Sequence, residues 1–484
     1  MKLAKNSLLS LMPTVAGVVV SILTVPFYIS LIGNERYGAL LIAWILLGYF
    51  GQADFGLGRA ITQRLSSMPD ADASERAGVV WSALYGATLI ALAGAALVFV
   101  AANVFFGSYF EAGEALKAEA LRSTWLFALC VPVIMYTGVS SGALTGLERF
   151  GVVSVGTTVS NLLAQILPLL VAIFYSADLS SLLAASLVGR VAGLLMVMAS
   201  MWRVFLRRQT VNPSTAELRR LFTFGVWIMV TAIIGPLMTM SDRVVIGAAI
   251  GAAAVVAYSV PFQIAQRTVM LPMAIVQALF PRLASQSAER AEALGKDAVV
   301  LVGQMYAFVV IGLICMAEPL LRLWLGDNLD QRSVIVGQIA LVGFWVNALA
   351  NVPYAHIHAR GDSRFTALVH LAELPLYCAM LYGFGLWLGL AGIALAFSLR
   401  ALIDCVIMFA KAGFGEARVL FHLAGPAALI AAALAVSPYA DGWLPAMACA
   451  VILGGLLAPL CWFQMPAAAK QAILTRLGRP ANPA

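Results

Sequence analysis

The chain has 484 residues, of which 62% are hydrophobic and only 11% charged, with a formal net charge of +7. A water-soluble globular domain averages about 25% charged residues, so the composition excludes a soluble enzyme and leaves an integral membrane protein, with no nucleic acid among its expected partners. The six cysteines all lie in apolar stretches with no CxxC or other ligand spacing, so they read as small core residues, and no metal or cofactor is expected.

Lys2 and Lys5 precede an apolar run from Leu8 to Ile32. The run is too long for a signal-peptide core and lacks a small-x-small cleavage site, so it reads as a retained first span. A span needs about 20 apolar residues. Fourteen stretches qualify: 8–32, 39–58, 78–106, 124–145, 152–175, 182–202, 222–249, 255–279, 298–317, 334–356, 366–388, 391–410, 421–437 and 444–463. The thirteenth is short and contains Pro426. Segment 203–221 is basic, includes Asn212-Pro213-Ser214 and reads as a cytoplasmic linker.

With the N-terminus inside, cytoplasmic segments hold twenty-one lysines and arginines and outer loops hold five, Arg36, Lys117, Arg122, Arg322 and Arg332. This is the positive-inside bias. It predicts an even number of spans and both termini in the cytoplasm. No loop is long enough for a water-soluble domain.

The chain repeats weakly across the linker. Gly33 and Arg64-Leu65-Ser66-Ser67 match Gly251 and Arg282-Leu283-Ala284-Ser285 at one offset. Val104-Phe105-Phe106-Gly107 matches Leu323-Trp324-Leu325-Gly326. Arg149-Phe150 matches Arg364-Phe365, and Arg190 matches Arg400. The predicted fold is all-α: two six-helix lobes around a central cleft (1–202 and 222–411), the linker 203–221, and two extra C-terminal helices with a cytoplasmic tail (412–484).

Four arginines remain inside spans: Arg190, Arg243, Arg267 and Arg400. A guanidinium cannot shed its proton, and at the bilayer centre it costs at least roughly 2.5–3.5 kcal/mol. Such groups face a protein interior or a wet cavity, so a cationic cleft for an anionic cargo is expected. Arg400 and Asp404 are one helical turn apart and can instead neutralise each other. Asp242 and Arg243 either divide between the cleft and another helix or form an ion pair at an interface. Gln263, Asn347 and Asn351 are suited to sugar hydroxyls or to gluing helices together. Glu373, two residues before Pro375, is either a proton-coupling carboxyl or the partner of an interior arginine. Asp54 reads as a helix-end group beside Gly56-Leu57-Gly58. His356, His358 and His370 match no metal site and read as boundary residues near the inner surface.

The stretch Pro26-Phe27-Tyr28-Ile29-Ser30-Leu31-Ile32-Gly33-Asn34-Glu35-Arg36-Tyr37-Gly38 resembles the first span and loop of Wzx-type polysaccharide-biosynthesis flippases of the MOP exporter superfamily. Asp54-Phe55-Gly56-Leu57 resembles that family's Asp-Leu-Gly-Leu element. Ser241-Asp242-Arg243-Val244-Val245-Ile246-Gly247, Tyr258 and Leu279-Phe280-Pro281 resemble its seventh and eighth spans. The resemblance covers most of residues 1–410. It implies a MATE-like fold, alternating access, and movement of an undecaprenyl-pyrophosphate-linked oligosaccharide from the inner to the outer leaflet for surface polysaccharide (O-antigen, lipopolysaccharide or exopolysaccharide). Membrane lipids are expected partners, with a polysaccharide polymerase and glycosyltransferases as candidates. Under it, Arg190, Arg267 and Arg400 become a clamp for pyrophosphate and acidic sugars, because arginine offers forked donors to phosphate. Many members have twelve spans; lipid II flippases have fourteen, the extra two shaping a groove for the lipid tail.

Alternatives are a lipid II-type flippase and a cation-coupled multidrug exporter of the same superfamily, though residues 8–32 lack the acid common in span 1 of bacterial exporters. A membrane enzyme is disfavoured: no sizeable outer loop is present, and Asp70-Ala71-Asp72 lies in a short inner loop. An ATP-driven pump is excluded, since the only Gly-Lys, Gly295-Lys296, is followed by Asp297.

Overall fold

A computed structural model describes residues 2–52, 56–68, 70–207, 209–210 and 212–464, and every regular element among them is helical. They divide into two compact units, Met1–Val256 and Ala257–Ala484. Ten helical segments among the described residues are long and apolar enough to cross a membrane. On several of them apolar residues point outward. Only 22% of the most apolar stretch of the third helix is buried, and Leu89, Leu92, Leu97, Phe99 and Val100 are exposed on it. In water such a surface would aggregate; in lipid it is the solvated face.

The first unit contains α1 (Lys2–Gln52), α2 (Leu57–Ser66), α3 (Ala73–Val104), α4 (Glu114–Arg122), α5 (Thr124–Gly146), α6 (Phe150–Phe174), α7 (Leu179–Met201) and α8 (Thr215–Ala249). The helix α9 (Ala252–Thr268) straddles the boundary. Gly33 breaks α1 with φ 76° and ψ 166°, a conformation glycine adopts without steric cost. Tyr28 and Tyr37 stack across this break at 5.4 Å, with Trp44 edge-on to both. The Tyr28 hydroxyl donates to the Gln165 carbonyl, and Trp44 Nε1 donates to Ser186 Oγ at 2.8 Å. The bend is thereby tied to α6 and α7. Lipid tails give no hydrophobic drive between helices, so close packing relies on small residues. A Cβ on Gly189 would sit 2.4 Å from the Ala164 nitrogen, and one on Gly142 2.2 Å from the Gly58 carbonyl oxygen.

The second unit contains α10 (Met270–Ser285), α11 (Ala288–Leu325), α12 (Arg332–Ala359), α13 (Ser363–Ala412), α14 (Ala417–Val436) and α15 (Trp443–Gln464). Gly389 (φ 59°) breaks α13, and the two halves fold into an antiparallel hairpin. His370 meets Asp404, Glu373 meets Arg400, and the alpha carbon of Gly392 carries no side chain where Phe384 approaches. This hairpin matches α6 and α7 of the first unit, where Gly193 abuts Ser160 and Gly189 abuts Ala164. Gly33 and Gly251, equivalent in the sequence repeat, both have positive φ and both interrupt the chain after its first span. In α12, Trp345 Nε1 donates to the Gly303 carbonyl of α11 at 2.9 Å.

Counting α1 and α13 as two crossings each, and adding α8 and the α9–α10 pair, the helices are consistent with the fourteen expected spans. The eighth expected span, 255–279, is not one helix: it divides between α9 and α10 around Val269. α8 packs on α1, α2 and α3 and belongs to the first unit.

Candidate functional site

Arg190 lies on α7, half-buried, beside Cys130 of α5. Its Nε is sealed from solvent with no hydrogen-bond partner among the described residues, and no described carboxylate pairs with it. Its neighbours Gly189 and Gly193 let α7 pack directly on α6. Arg267 lies in the last turn of α9, exposed, and likewise forms no ion pair among the described residues. Gln263, one turn earlier, is half-buried.

Arg400 is different. Its guanidinium is buried, 3.8 Å from Glu373 Oε2, and sits over the rings of Tyr377 (5.5 Å) and Phe397 (5.7 Å). Of the two readings of Arg400, the pairing with Asp404 one turn away is not formed within ion-pair distance among the described residues. Asp404 turns instead to His370, with Oδ1 3.5 Å from Nε2. The hairpin explains the exchange: folding α13 at Gly389 presents Glu373 across from Arg400 and His370 across from Asp404, and these cross-helix approaches prevail over the pairing one turn away. Glu373 therefore does meet an interior arginine.

Asp242 and Arg243, both buried on α8, pair with each other: Arg243 Nη1 donates to Asp242 Oδ1 at 2.9 Å, and the Arg243 amide donates to the same oxygen at 2.8 Å. Sequence neighbours diverge on a helix, but the long arginine stem folds back. Asn351 Nδ2 reaches Asn347 Oδ1 at 3.5 Å on half-buried α12. Asp54 lies outside the described residues. Among the described residues no group of three or more His, Cys, Asp or Glu could hold a metal ion.

Several groups escaped the sequence reading. Tyr354 stacks on His358 (4.1 Å between centroids) and on His370 (6.1 Å), and His358 Nε2 lies 2.8 Å from Thr366 Oγ1. The available signal was two titratable pairs at helical spacing on adjacent spans, His370 with Glu373 and Arg400 with Asp404. Two forked ion pairs were also missed. Arg36 grips Glu119 of α4, and Arg64 of α2 grips Glu217 at the start of α8. The Arg36 guanidinium holds the Glu119 carboxyl below the usual carboxylate range, aided by the Leu179 amide, and Arg64 does the same for Glu217. No local pattern announces pairs this distant in sequence.

An apolar cavity of about 460 Å³ lies among α12, α13 and α14, lined by residues including Trp345, Leu349, Cys405, Phe409 and Leu423.

Residues 3–287, more than half of the chain, match the family described as polysaccharide biosynthesis protein. The chain belongs to this family. A Shigella flexneri protein described as "Putative O-antigen transporter" is 30% identical over 410 residues, spanning 84% of this chain and 97% of that one. Among solved structures, the lipid II flippase MurJ in an inward closed conformation superposes with a TM-score of 0.70 at 14% identity, covering 98% of this chain and 100% of that one. An inward-facing multidrug resistance MATE family transporter of the MOP superfamily gives 0.67 at 14% identity, covering 85% and 95%. A MOP superfamily transporter from Pyrococcus furiosus gives 0.56 at 15% identity, covering 86% and 96%. At such identities the likeness establishes the fold: this family member is an all-α, multi-pass membrane protein with the MurJ/MATE architecture.

Proposed function

We propose that the protein is a flippase that moves an undecaprenyl-pyrophosphate-linked oligosaccharide from the inner to the outer leaflet of the cytoplasmic membrane, by alternating access, for surface polysaccharide. Both termini would be cytoplasmic, as the 21-to-5 distribution of lysine and arginine favours. Family membership and the relative described as an O-antigen transporter support the class of cargo. The observation that carries the reading is Arg190 on the membrane helix α7, half-buried and without a described counter-ion; Arg267, on α9 of the other unit, likewise forms no ion pair among the described residues. An uncompensated guanidinium at membrane depth is costly, and a diphosphate supplies the missing charge in a bidentate geometry.

Arg400 enters this scheme as a held cation, since Glu373 already faces it. Gln263, Asn347 and Asn351 offer neutral donors for sugar hydroxyls, and Arg243 with Asp242 serves as an internal ion pair. The apolar cavity beside α14 suits part of the prenyl chain, which has no polar group to satisfy. The protein itself performs no bond chemistry in this reading. A polymerase and glycosyltransferases would act before and after it.

The test is complementation of a strain lacking its own O-antigen transporter, with surface polysaccharide as the readout. Restored display supports the reading. Failure of a well-inserted protein to restore display, with restored growth of a lipid II-flippase-depleted strain instead, overturns it in favour of a lipid II cargo.

A further inference from the structure

Glu373 and Asp404 bring two carboxylates into the interior of the α13 hairpin, at 4% and 6% exposure, against one guanidinium, Arg400, at 8%. Arginine stays charged. With both carboxylates ionised the cluster carries an uncompensated negative charge, which is costly to bury. Hydrogen bonds do not relieve it. Neither oxygen of Glu373 accepts a hydrogen bond from a described residue, and Asp404 Oδ1 accepts none. Arg400 Nη1 stands 3.8 Å from Glu373 Oε2, and His370 Nε2 stands 3.5 Å from Asp404 Oδ1. One added proton restores neutrality.

Among the described residues, no ion pair brings a second lysine or arginine to Glu373 or Asp404. His370 is the rim of the cluster, its side chain 31% exposed. From α12, Tyr354 and His358 face it: the Tyr354 ring lies parallel to the His370 imidazole, and the His358 ring stacks behind, hydrogen-bonded to Thr366. On α13 itself the other neighbours are Tyr377 beneath Arg400 and Cys405 beside Asp404. From α9 the contact is apolar, Phe262 against Phe397.

We propose that Glu373, Asp404 and His370 form a proton-binding site that holds one exchangeable proton, loaded at the His370 rim, with Arg400 as its fixed counter-charge. The proton comes from solvent to the His370 imidazole. It passes from Nε2 to Asp404 Oδ1 and in the interior rests on one carboxyl oxygen, leaving one neutral acid, one carboxylate, one guanidinium and a neutral imidazole. No bond other than to hydrogen changes. The site stands on the cluster alone and does not depend on which cargo the protein moves.

The direct test is infrared difference spectroscopy of the full-length protein in lipid nanodiscs, titrated between about pH 5 and about pH 8. The carboxylic-acid C=O stretch of a buried, protonated side chain is expected to appear on acidification in the wild type. It should be lost or displaced in Glu373→Gln or Asp404→Asn, and its midpoint should shift in His370→Gln. Glu148→Gln, an exposed turn position, should leave it in place. A wild-type spectrum with no titrating carboxylic-acid band overturns the proposal, as does a band that survives both Glu373→Gln and Asp404→Asn. If one variant fails to insert, the other and His370→Gln carry the comparison, and the wild-type titration decides independently of all three. A missing band leaves the flippase reading untouched, whereas failed complementation with the band present removes that reading and keeps the site.

Discussion

Arg36 and Glu119 meet through two hydrogen bonds of 3.0 and 2.6 Å although 83 positions separate them. Glu119 Oε2 also accepts the Leu179 amide at 3.1 Å, so one carboxylate joins the bend of α1, the short helix α4 and the start of α7. The two partners differ in exposure, 38% for the Arg36 side chain and 8% for Glu119. Removing the arginine therefore strands a buried carboxylate. Arg36→Ala is expected to cost about 1–3 kcal/mol of stability, read as a lower melting temperature in detergent. The carboxyl of Glu119 is held below its ordinary value by Arg36. Its contribution is thus fully present above the unfolded carboxylate pKa of about 4.3 and is lost as pH falls through the lower folded value. Arg36→Ala should flatten that acid limb; an unchanged acid limb would count against the pair as a stabilising contact.

Gly142 packs where no side chain fits, with a Cβ landing 2.2 Å from the Gly58 carbonyl oxygen. Gly142→Val should separate α5 from α2 and sharply reduce the folded fraction in size-exclusion chromatography. Gly383→Ala, where a Cβ meets nothing within 4 Å, should behave as wild type. Equal behaviour of the two variants would refute the packing account.

Under the proposed function, Arg190 and Arg267 each contact the anionic part of the cargo. Replacing either with Ala should abolish surface polysaccharide in the complementation strain while membrane insertion persists. Lysine should rescue in part, because it keeps the charge and loses the fork. Normal polysaccharide in both Ala variants would remove the clamp.

The cavity beside α14 offers a test of the prenyl contact. Leu423→Trp enlarges a buried wall residue and should fill part of the space. Reduced export with an unchanged melting temperature is expected; full export with the cavity filled would show that the chain lies elsewhere.

Much of the architecture was legible in the residues. Apolar length marked the spans, and the repeat paired Gly33 with Gly251; the structure shows that both take positive φ, which glycine adopts cheaply. The site was legible in its types and not in its pairings. Arg400 and Asp404 sit at ideal helical spacing, yet their partners come from the other half of the hairpin. The spacing of His370 with Glu373 and of Arg400 with Asp404 marked the region, but the stack of Tyr354 between His358 and His370 depends on how α12 and α13 are rotated against each other.

By itself the sequence determined the membrane class and most of the spans, because each follows from transfer free energies summed over neighbouring residues. Only the tertiary structure decided that Arg36 meets Glu119, that Arg243 folds back on Asp242, and that Glu373 faces Arg400 while Arg190 has no described acid beside it. A Coulomb interaction depends on separation in space, and chain order does not fix that separation until the helices have packed.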